Sequence, residues 1–242
     1  MRLDQELVKR RLVESRQEAQ VCIEKGFVTL HGVIVTKPHQ RVAKTDELAV
    51  TARRKYVSRG GEKLEGVLHA VYGADEKIHS HIALASVLDI GASTGGFTDC
   101  LLSYGAHDID AVDVGTAQLH PTLKANASVR SFETTDIRDF HPMKHYDVIV
   151  VDLSFISITN VLDTIMTFVE QETELFLLVK PQFEVGREHL KKGIVRDEHI
   201  RQTALENLLD IVKNTDAKEV LSFPSVIEGG DGNQEYFIYA KF

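Results

Sequence analysis

Residues 86–103 read SVLDIGASTGGFTDCLLS, in which an apolar run ends in an acid and a glycine-rich turn precedes helical spacing. This order predicts a buried strand, a tight turn and a helix. In open α/β sheets, ligands bind at the carboxyl ends of the strands, and Gly91, Gly95 and Gly96 would let the backbone approach one closely. The turn lacks the Gly-Lys-Ser/Thr of a P-loop and the Gly-x-Gly-x-x-Gly dinucleotide fingerprint. It therefore predicts a ligand site of another kind.

Strands and helices alternate along the chain from about residue 62 onward. Apolar runs predict seven strands, at 87–90, 109–113, 129–132, 148–152, 175–180, 220–223 and 236–241. Amphipathic spacing predicts helices near 62–72, 97–104, 157–169 and 198–213. We expect an α/β, Rossmann-like domain, with a mostly parallel seven-stranded sheet and helices on both faces.

The first 35 residues have a different pattern. Leu3, Leu7 and Leu12 share one helical stripe over 3–13. Ser15, followed by Glu18, predicts the capped start of a second helix that ends at Gly26, and His31-Gly32 between β-rich runs predicts a tight hairpin. These elements predict a small α+β module ahead of the larger domain.

Charge is divided between these two parts. The net charge is −8, but residues 1–60 hold 13 Lys and Arg against 7 Asp and Glu. A basic module joined to an acidic domain fits this asymmetry, although an ordinary solvated surface also fits it. Two cysteines make neither a disulfide framework nor a metal site, and no run of about 18 apolar residues or signal peptide is visible. We expect a soluble cytoplasmic protein without a membrane span or a metal.

The N-terminal segment resembles the S4 RNA-binding module. The matching residues are Arg2, Asp4, Ser15, Arg16, Lys25, Gly26 and Val28, while His31 stands where Asn is usual. The resemblance implies an RNA-binding domain over residues 1–57, in which cations contact phosphates and position the RNA. The RNA-binding residues it implies are Arg2, Arg10, Arg16, Lys25 and Lys37. We also expect the linker RKYV, residues 54–57, to couple RNA docking to cofactor binding.

Three acids follow three successive strands in the larger domain. Asp89 would suit a ligand with a positive amino group, Asp113 the two hydroxyls of a ribose, and Asp136 an adenine amino group. S-adenosylmethionine carries an ammonium, a sulfonium, a ribose and an adenine, so this set favours it as the cofactor. The other interpretation is that these acids only cap loops or helices.

The segment DIGASTGGF resembles the corresponding turn of class I methyltransferases of the FtsJ-like type. Gly95, Gly96 and Phe97 match, while Thr94 replaces a proline. The order of an S4-like module and an FtsJ-like domain, here 58–242, resembles the TlyA family, often labelled hemolysin A. The cofactor-binding residues implied are Asp89, Gly91, Ser93, Gly95, Gly96, Phe97, Thr98, Asp113 and Asp136.

A Lys-Asp-Lys-Glu tetrad is implied by the same resemblance, at Lys63, Asp152, Lys180 and Glu235. Burial beside a second ammonium favours a neutral lysine amine, so we expect Lys180 to be the general base, helped by Lys63. Asp152 would orient the amine, and Glu235 would hold Lys63 or the ribose. The implied reaction is 2′-O-methylation of a ribose, a cytidine in ribosomal RNA of the large subunit.

Three alternatives stay open at this point. A membrane-lysing hemolysin would need an amphipathic or membrane-spanning segment, which is not visible. An RNA-binding adaptor with an inactive methyltransferase fold conflicts with the complete tetrad. An RNA base methyltransferase commonly has an Asn/Asp-Pro-Pro-aromatic motif or a cysteine nucleophile, whereas here the fourth strand ends in VDLSF. The oligomeric state and the target nucleotide are not predicted.

Overall fold

The end of the basic N-terminal stretch is where the computed structural model divides the chain into two units, Met1–Lys55 and Tyr56–Phe242. The structure describes residues 1–51, 55–142 and 144–242. Arg54 of the expected linker therefore lies outside the described residues.

Unit 1 begins with the two expected helices, α1 (Leu3–Lys9) and α2 (Arg16–Glu24). The first is shorter than the predicted 3–13 because Arg11 adopts a left-handed φ of 57°, and the Leu12 N–H turns back to the carbonyl of Leu7 at 3.0 Å. The second starts as predicted, since the Ser15 side chain accepts a hydrogen bond from the Glu18 N–H at 3.1 Å.

A three-stranded antiparallel sheet completes unit 1, with β1 (Val28–Leu30), β2 (Val33–Ile34) and β3 (Leu48–Val50) in the order β2-β1-β3. The predicted hairpin is confirmed: His31 and Gly32 have φ values of 51° and 78°, as a type I′ turn requires. Strand β3 was not predicted from the sequence.

Unit 2 is built on a seven-stranded sheet in the order β6-β5-β4-β7-β8-β10-β9. The strands are β4 (Ser86–Ile90), β5 (Asp108–Val112), β6 (Val129–Phe132), β7 (Val148–Val151), β8 (Glu174–Val179), β9 (Glu219–Pro224) and β10 (Tyr236–Lys241). Strands β4 to β8 are parallel, and β10 pairs antiparallel with both β8 and β9. All seven strands lie within one residue of the predicted bounds, and the predicted fold class is confirmed.

Helices cover both faces of this sheet. They are α3 (Arg59–Tyr72), α4 (Asp75–Ile82), α5 (Gly96–Ser103), α6 (Pro121–Lys124), α7 (Thr159–Met166), α8 (Pro181–Glu184) and α9 (Glu198–Lys213). Leu68, Ile78 and Leu101 of α3, α4 and α5 belong to one apolar cluster, while Ile165 and Leu208 of α7 and α9 belong to the other. Among the described residues, no helix combines the length and the apolar character that crossing a membrane requires.

Tyr56 is a core residue of unit 2. Its buried side chain packs against Gly61 of α3, and its hydroxyl donates to Glu65 Oε1 at 2.9 Å. The next residue is also fixed, because the Val57 N–H donates to Asp99 of α5 at 2.7 Å. The expectation that residues 54–57 act as a linker is therefore wrong for Tyr56, whose replacement by Ala would remove core packing.

Candidate active site

The carboxyl ends of four neighbouring parallel strands meet at one edge of the large sheet. Asp113 follows β5, Asp152 follows β7 and Lys180 follows β8, while Asp89 lies inside β4 one residue before its end. The strand order changes direction between β4 and β7, which is the position where open α/β sheets form a ligand crevice.

The glycines of the turn after β4 have no room for a side chain. Gly91 has a φ of 81°, and a Cβ on it would lie 2.5 Å from the carbonyl oxygen of Asp152. Gly95 has a φ of 92°, and a Cβ on Gly96 would clash with Ser58 Oγ at the start of α3. The turn therefore packs closely against both the end of β7 and the first turn of α3.

Asp89 is fully buried beneath this turn. Its Oδ2 accepts from the Thr98 N–H at 3.0 Å and from Thr98 Oγ1 at 2.6 Å, whereas its Oδ1 has no hydrogen-bond partner among the described residues. Burial raises the pKa of the Asp89 carboxyl to about 7. The hydrogen bonds from Thr98 lower this pKa in part, whereas the negative charges of Asp152 and Asp113 raise it. Asp89 lines a small cavity of about 90 Å³, and a cationic group there would supply the missing partner.

A larger cavity of about 380 Å³ lies beside the small one and shares Gly91, Ser93 and Asp152 with it. Asp113 lines it and is fixed by its neighbours: its Oδ2 accepts from the Ser93 N–H at 2.7 Å and its Oδ1 from the Gly115 N–H at 2.6 Å. In the described ranges, no three His, Cys, Asp or Glu side chains are grouped to hold a metal ion.

Asp136 also lines the larger cavity, together with Arg138. Its Oδ1 accepts from the Arg138 N–H at 2.9 Å and its Oδ2 from the guanidinium at 2.5 Å. These hydrogen bonds from Arg138 lower the pKa of Asp136 to about 2. The acid is thus a cap of the 3₁₀ turn Ile137–Asp139 as well as a cavity residue, and the sequence analysis did not anticipate its arginine partner.

Two of the tetrad residues form a buried ion pair. Lys63, in the first turns of α3, donates to Glu235 Oε2 at 2.5 Å. In the same part of α3, Arg59 donates to the carbonyl oxygens of Glu228 and Gly229, and so holds the segment that leads to Glu235. Glu235 therefore contacts Lys63, which is one of the two arrangements expected from the sequence.

The other two tetrad residues form a second pair beside the cavities. Lys180 Nζ lies 2.5 Å from Asp152 Oδ1 and donates to Ser154 Oγ at 2.7 Å. Lys180 is buried, while Asp152 lines both cavities. The hydroxyl of Ser154 was missed in the sequence, where only its position two residues beyond a strand-end acid could have indicated it.

The register of the sheet brings the two pairs together. In the antiparallel pairing of β10 with β8, Tyr236 lies opposite Val179. Glu235 precedes Tyr236 and Lys180 follows Val179, so these two residues continue the same register as neighbours. The fold therefore brings all four residues to one end of β7, β8 and β10. Their catalytic roles stay a prediction.

Phe155 is a second residue that the sequence analysis missed. It lines the larger cavity, its side chain is 92% exposed and its φ is 67°. A bulky residue in the left-handed region is strained, and an aromatic ring held out in this way is available for stacking. Its position directly after the strand-end segment VDLS is the signal that could have identified it.

In unit 1, two of the candidate RNA-binding cations converge on one buried acid. Arg2 and Arg16 donate to the two oxygens of Asp4 at 2.9–3.0 Å, and Gln20 donates to Oδ2 at 3.1 Å. Burial alone would raise the pKa of Asp4, but these hydrogen bonds hold it well below its usual range. Asp4 thus fixes two half-exposed guanidinium groups side by side.

The other three candidates differ in surroundings. Arg10 pairs with Glu6 at 2.9 Å and donates to the carbonyls of Ala43, Lys44 and Asp46, so its guanidinium is used within unit 1. The remaining candidates, Lys25 and Lys37, are exposed. The geometry therefore argues against Arg10 as a phosphate contact.

Two family profiles match the chain in the order found here. The profile described as S4 domain matches residues 1–48, and the one described as FtsJ-like methyltransferase matches residues 56–242.

Two curated relatives resemble nearly the whole chain, and a third resembles about three quarters of it. Hemolysin A of Brachyspira hyodysenteriae is 39% identical over 245 residues, covering 99% of both chains. The 16S/23S rRNA (cytidine-2′-O)-methyltransferase TlyA of Mycobacterium tuberculosis is 37% identical over 246 residues, covering 99% of this chain and 89% of the relative. The 23S rRNA (cytidine-2′-O)-methyltransferase TlyA of Campylobacter jejuni is 38% identical over 193 residues, covering 76% and 70%.

A solved structure of similar extent comes from a Streptococcus thermophilus protein that carries a hemolysin name. It is 34% identical, it covers 100% of this chain and 88% of its own, and it superposes with a TM-score of 0.73.

Proposed function

The chain belongs to the FtsJ-like methyltransferase family, and from this premise we propose that it transfers a methyl group from S-adenosylmethionine to the 2′-hydroxyl of a cytidine in ribosomal RNA. One observation carries the proposal: two lysine–carboxylate pairs, the buried Lys63–Glu235 and Lys180 with the half-buried Asp152, lie at one end of the sheet, where Asp152 lines a cavity of about 380 Å³. Buried charges cost free energy unless a function or a partner retains them.

The two cavities fit S-adenosylmethionine. Asp89 offers a buried carboxylate oxygen without a partner among the described residues, which suits the ammonium group. Asp113 lines the larger cavity and suits the ribose hydroxyls, and Asp136 suits the adenine amino group while it also binds Arg138. When bound, the cofactor supplies an electrophilic methyl group on a sulfonium.

The glycine turn would hold the remaining part of the cofactor. A side chain on Gly91 would meet the backbone of Asp152, so the backbone there stays open to a ligand. The other residues we assign to cofactor binding are Ser93, Gly95, Gly96, Phe97 and Thr98.

Lys180 is the proposed general base. It would accept the proton of the ribose hydroxyl as its neutral amine, with Asp152 orienting that amine. Glu235 holds Lys63 by a hydrogen bond of 2.5 Å and lies opposite Lys180 when the register of β10 and β8 is continued, so Lys63 would supply the second ammonium near the base. General-base help is typically worth about 10²–10⁴-fold, and alignment of the reactants adds to it.

Unit 1, Met1–Lys55, is the proposed RNA-docking domain, and unit 2, Tyr56–Phe242, is the proposed methyltransferase domain, so the boundary lies two residues before the one expected from the sequence. Its S4 match supports an RNA substrate. We propose that Arg2, Arg16, Lys25 and Lys37 contact phosphates, and we leave Arg10 as a structural cation. Phe155 would stack on a base near the reacting ribose, because single-stranded bases bind exposed aromatic rings.

Ribosomal RNA, bare or in ribosomal subunits, is the proposed partner, and the large subunit is the preferred one. The names of the Mycobacterium tuberculosis and Campylobacter jejuni relatives share 23S rRNA. Because ribosomes are made and used in the cytoplasm, we also propose that the protein acts there.

Transfer of labelled methyl groups tests this function. Wild-type protein, Lys180→Ala and the control Lys213→Ala, at an exposed position in the last turn of α9, are each incubated with S-[methyl-³H]adenosylmethionine and isolated large or small subunits. We expect label in the RNA of the large subunit with wild type and the control, and none with Lys180→Ala. Cofactor binding without label on either subunit would contradict the proposal.

A further inference from the structure

Two loops at the active-site edge are joined by three successive contacts. One loop, residues 153–158, connects β7 to α7, and the other segment, residues 180–184, follows β8 and contains α8. Ser154 Oγ accepts from Lys180 Nζ at 2.7 Å, and the rings of Phe155 and Phe183 lie 5.4 Å apart between centroids. The third contact is made by Glu184.

Glu184 fixes the far end of the first loop. Its Oε2 accepts from Ser157 Oγ at 2.5 Å, and its Oε1 accepts from the Ile158 N–H at 3.0 Å. Ile158 is the residue that precedes α7, so the carboxylate also lies at the positive end of that helix. The loop that carries Ser154 is therefore held at both ends by the segment that carries Lys180.

The amine of Lys180 has two neighbours within the described part of the chain. It donates a hydrogen bond to Ser154 Oγ, and it forms an ion pair with Asp152 Oδ1, an atom that accepts no hydrogen bond from the described residues. A tetrahedral nitrogen bonded to its own carbon has three further directions. In the neutral amine, two of these hold N–H bonds and the third holds the lone pair. The hydrogen bond to Ser154 fixes the direction of one N–H, and the charge of Asp152 attracts the other, which leaves one direction for the lone pair. Without Ser154 no hydrogen bond within the described residues would stop the amine from turning about its Cε–Nζ bond.

We propose that Ser154 and Glu184 form a clamp that sets the direction of the Lys180 amine, in which Ser154 contacts the amine and Glu184 holds the loop that carries Ser154. Both are positioning residues, and the clamp rests on the proposed function in that Lys180 is the base. A lost orientation lowers the rate of the chemical step and leaves substrate binding unchanged.

Single-turnover kinetics with saturating cofactor and RNA test the clamp. Because the loss of one hydrogen bond between neutral groups costs up to about tenfold, Ser154→Ala is expected to react about tenfold more slowly. The cofactor Kd and the KM for RNA should stay within about twofold. Ser154→Thr keeps the hydroxyl at this exposed position and should recover the rate to within about threefold. Ser80→Ala on α4 and Glu206→Gln on α9 are exposed controls that should match wild type.

A double-mutant cycle tests whether Glu184 acts through Ser154. Glu184→Gln keeps one acceptor oxygen and should slow the reaction about three- to fivefold. The variant carrying both Ser154→Ala and Glu184→Gln should be no slower than Ser154→Ala, because contacts that act in series do not add. A wild-type rate for Ser154→Ala, a loss that Ser154→Thr fails to recover, or losses that multiply in the double variant would each overturn the clamp.

A spectroscopic measurement tests the clamp independently of the proposed function. In protein labelled with ¹⁵N-lysine, the Nζ signal of Lys180 is assigned by its loss in Lys180→Arg. We expect this signal to shift or broaden in Ser154→Ala and to persist in Glu206→Gln. If wild type transfers no methyl to RNA, the proposed function fails, and an unchanged Lys180 signal in Ser154→Ala would overturn the clamp independently.

Discussion

At the scale of one residue, Asp89 shows that a group suited to bind a cofactor can lower the stability of the cofactor-free protein. Burial raises its pKa to about 7, and one of its oxygens has no hydrogen-bond partner among the described residues. A carboxylate in that state binds a cation well and costs free energy while no cation is bound.

Cofactor affinity should therefore depend on pH through Asp89. Since the ammonium group binds the ionised carboxylate, the affinity of wild type for S-adenosylmethionine should fall by up to about tenfold per pH unit below pH 7. Calorimetric titrations between pH 5.5 and 7.5 measure this. Asp89→Asn should bind weakly with little pH dependence, and an equally flat profile for wild type would contradict the role given to Asp89.

The stability of the cofactor-free protein should depend on pH through Asp89 as well, but in the opposite direction: the fold gains stability at low pH, where cofactor affinity falls. The unfolded carboxyl titrates near pH 4, about three units below the folded one, so between these values the folded state holds a proton that the unfolded state has lost. The contribution of Asp89 to stability is therefore greatest below pH 4 and is lost as the pH rises to 7. The Tm of Asp89→Asn minus that of wild type should grow from pH 5 to pH 8, and a constant difference would disprove it.

The tetrad shows how far the sequence could predict single residues. Asp152 and Lys180 were implied by the family resemblance, and each also follows a strongly apolar strand, where a charged residue is unusual. Ser154 and Arg138 could not, because their contacts with Lys180 and Asp136 depend on how loops fold back, which no local pattern encodes. The carbonyl partners of Arg10 could not be predicted for the same reason, since they lie more than 30 residues away along the chain.

At the scale of elements, period-2 and continuous apolar runs were enough to predict all seven strands of the large sheet to within one residue. The missed elements are short or polar. Helix α4 reads DEKIHSHI, with two buried residues in eight, and β3 has three residues that are stabilised by pairing with β1. Such elements form because of tertiary contacts rather than local preference.

Glycine can be required in a turn for two reasons, a left-handed φ and a close approach of other atoms. Gly91 and Gly193 separate these two reasons. Both have a φ of 81°, but a Cβ on Gly91 would lie 2.5 Å from the Asp152 carbonyl, whereas a Cβ on Gly193 would meet nothing within 4 Å. Gly193→Ala should cost about 1 kcal/mol from backbone strain, and Gly91→Ala about 3 kcal/mol or more because β7 must also move.

Thermal unfolding of these two variants measures the difference, with each 1 kcal/mol worth about 3 °C for a chain of this size. Gly91→Ala should also bind cofactor at least tenfold more weakly, and Gly193→Ala should bind it as wild type does. Equal Tm losses for both would mean that the close approach of β4 and β7 is not what requires glycine.

At the scale of the whole molecule, the net charge of −8 hides a basic unit that an RNA substrate needs. Fold and function class followed from the order of motifs along the chain, whereas the roles of individual cations did not follow from charge. Lys37 is exposed, while the Arg10 side chain is 24% exposed and binds three carbonyls.

One lysine replacement and one arginine replacement should therefore separate the effect on RNA affinity from the effect on thermal stability. Lys37→Ala should weaken RNA binding a few-fold and lower the slope of log Kd against log salt by about one, with an unchanged Tm. Arg10→Ala should lower the Tm by about 5 °C through lost hydrogen bonds within unit 1. Filter binding at several salt concentrations and thermal unfolding measure both, and a reversed pattern would contradict the assignment.

The identity of the modified nucleoside tests the central claim most directly. Ribosomal RNA from the large subunit is reacted with the protein and unlabelled S-adenosylmethionine, digested to nucleosides and separated by liquid chromatography with mass spectrometry. We predict 2′-O-methylcytidine with wild type and with Lys213→Ala, and none with Lys180→Ala. Cytidine methylated on its base, or 2′-O-methylcytidine formed at the wild-type rate by Lys180→Ala, would contradict ribose methylation with Lys180 as its base.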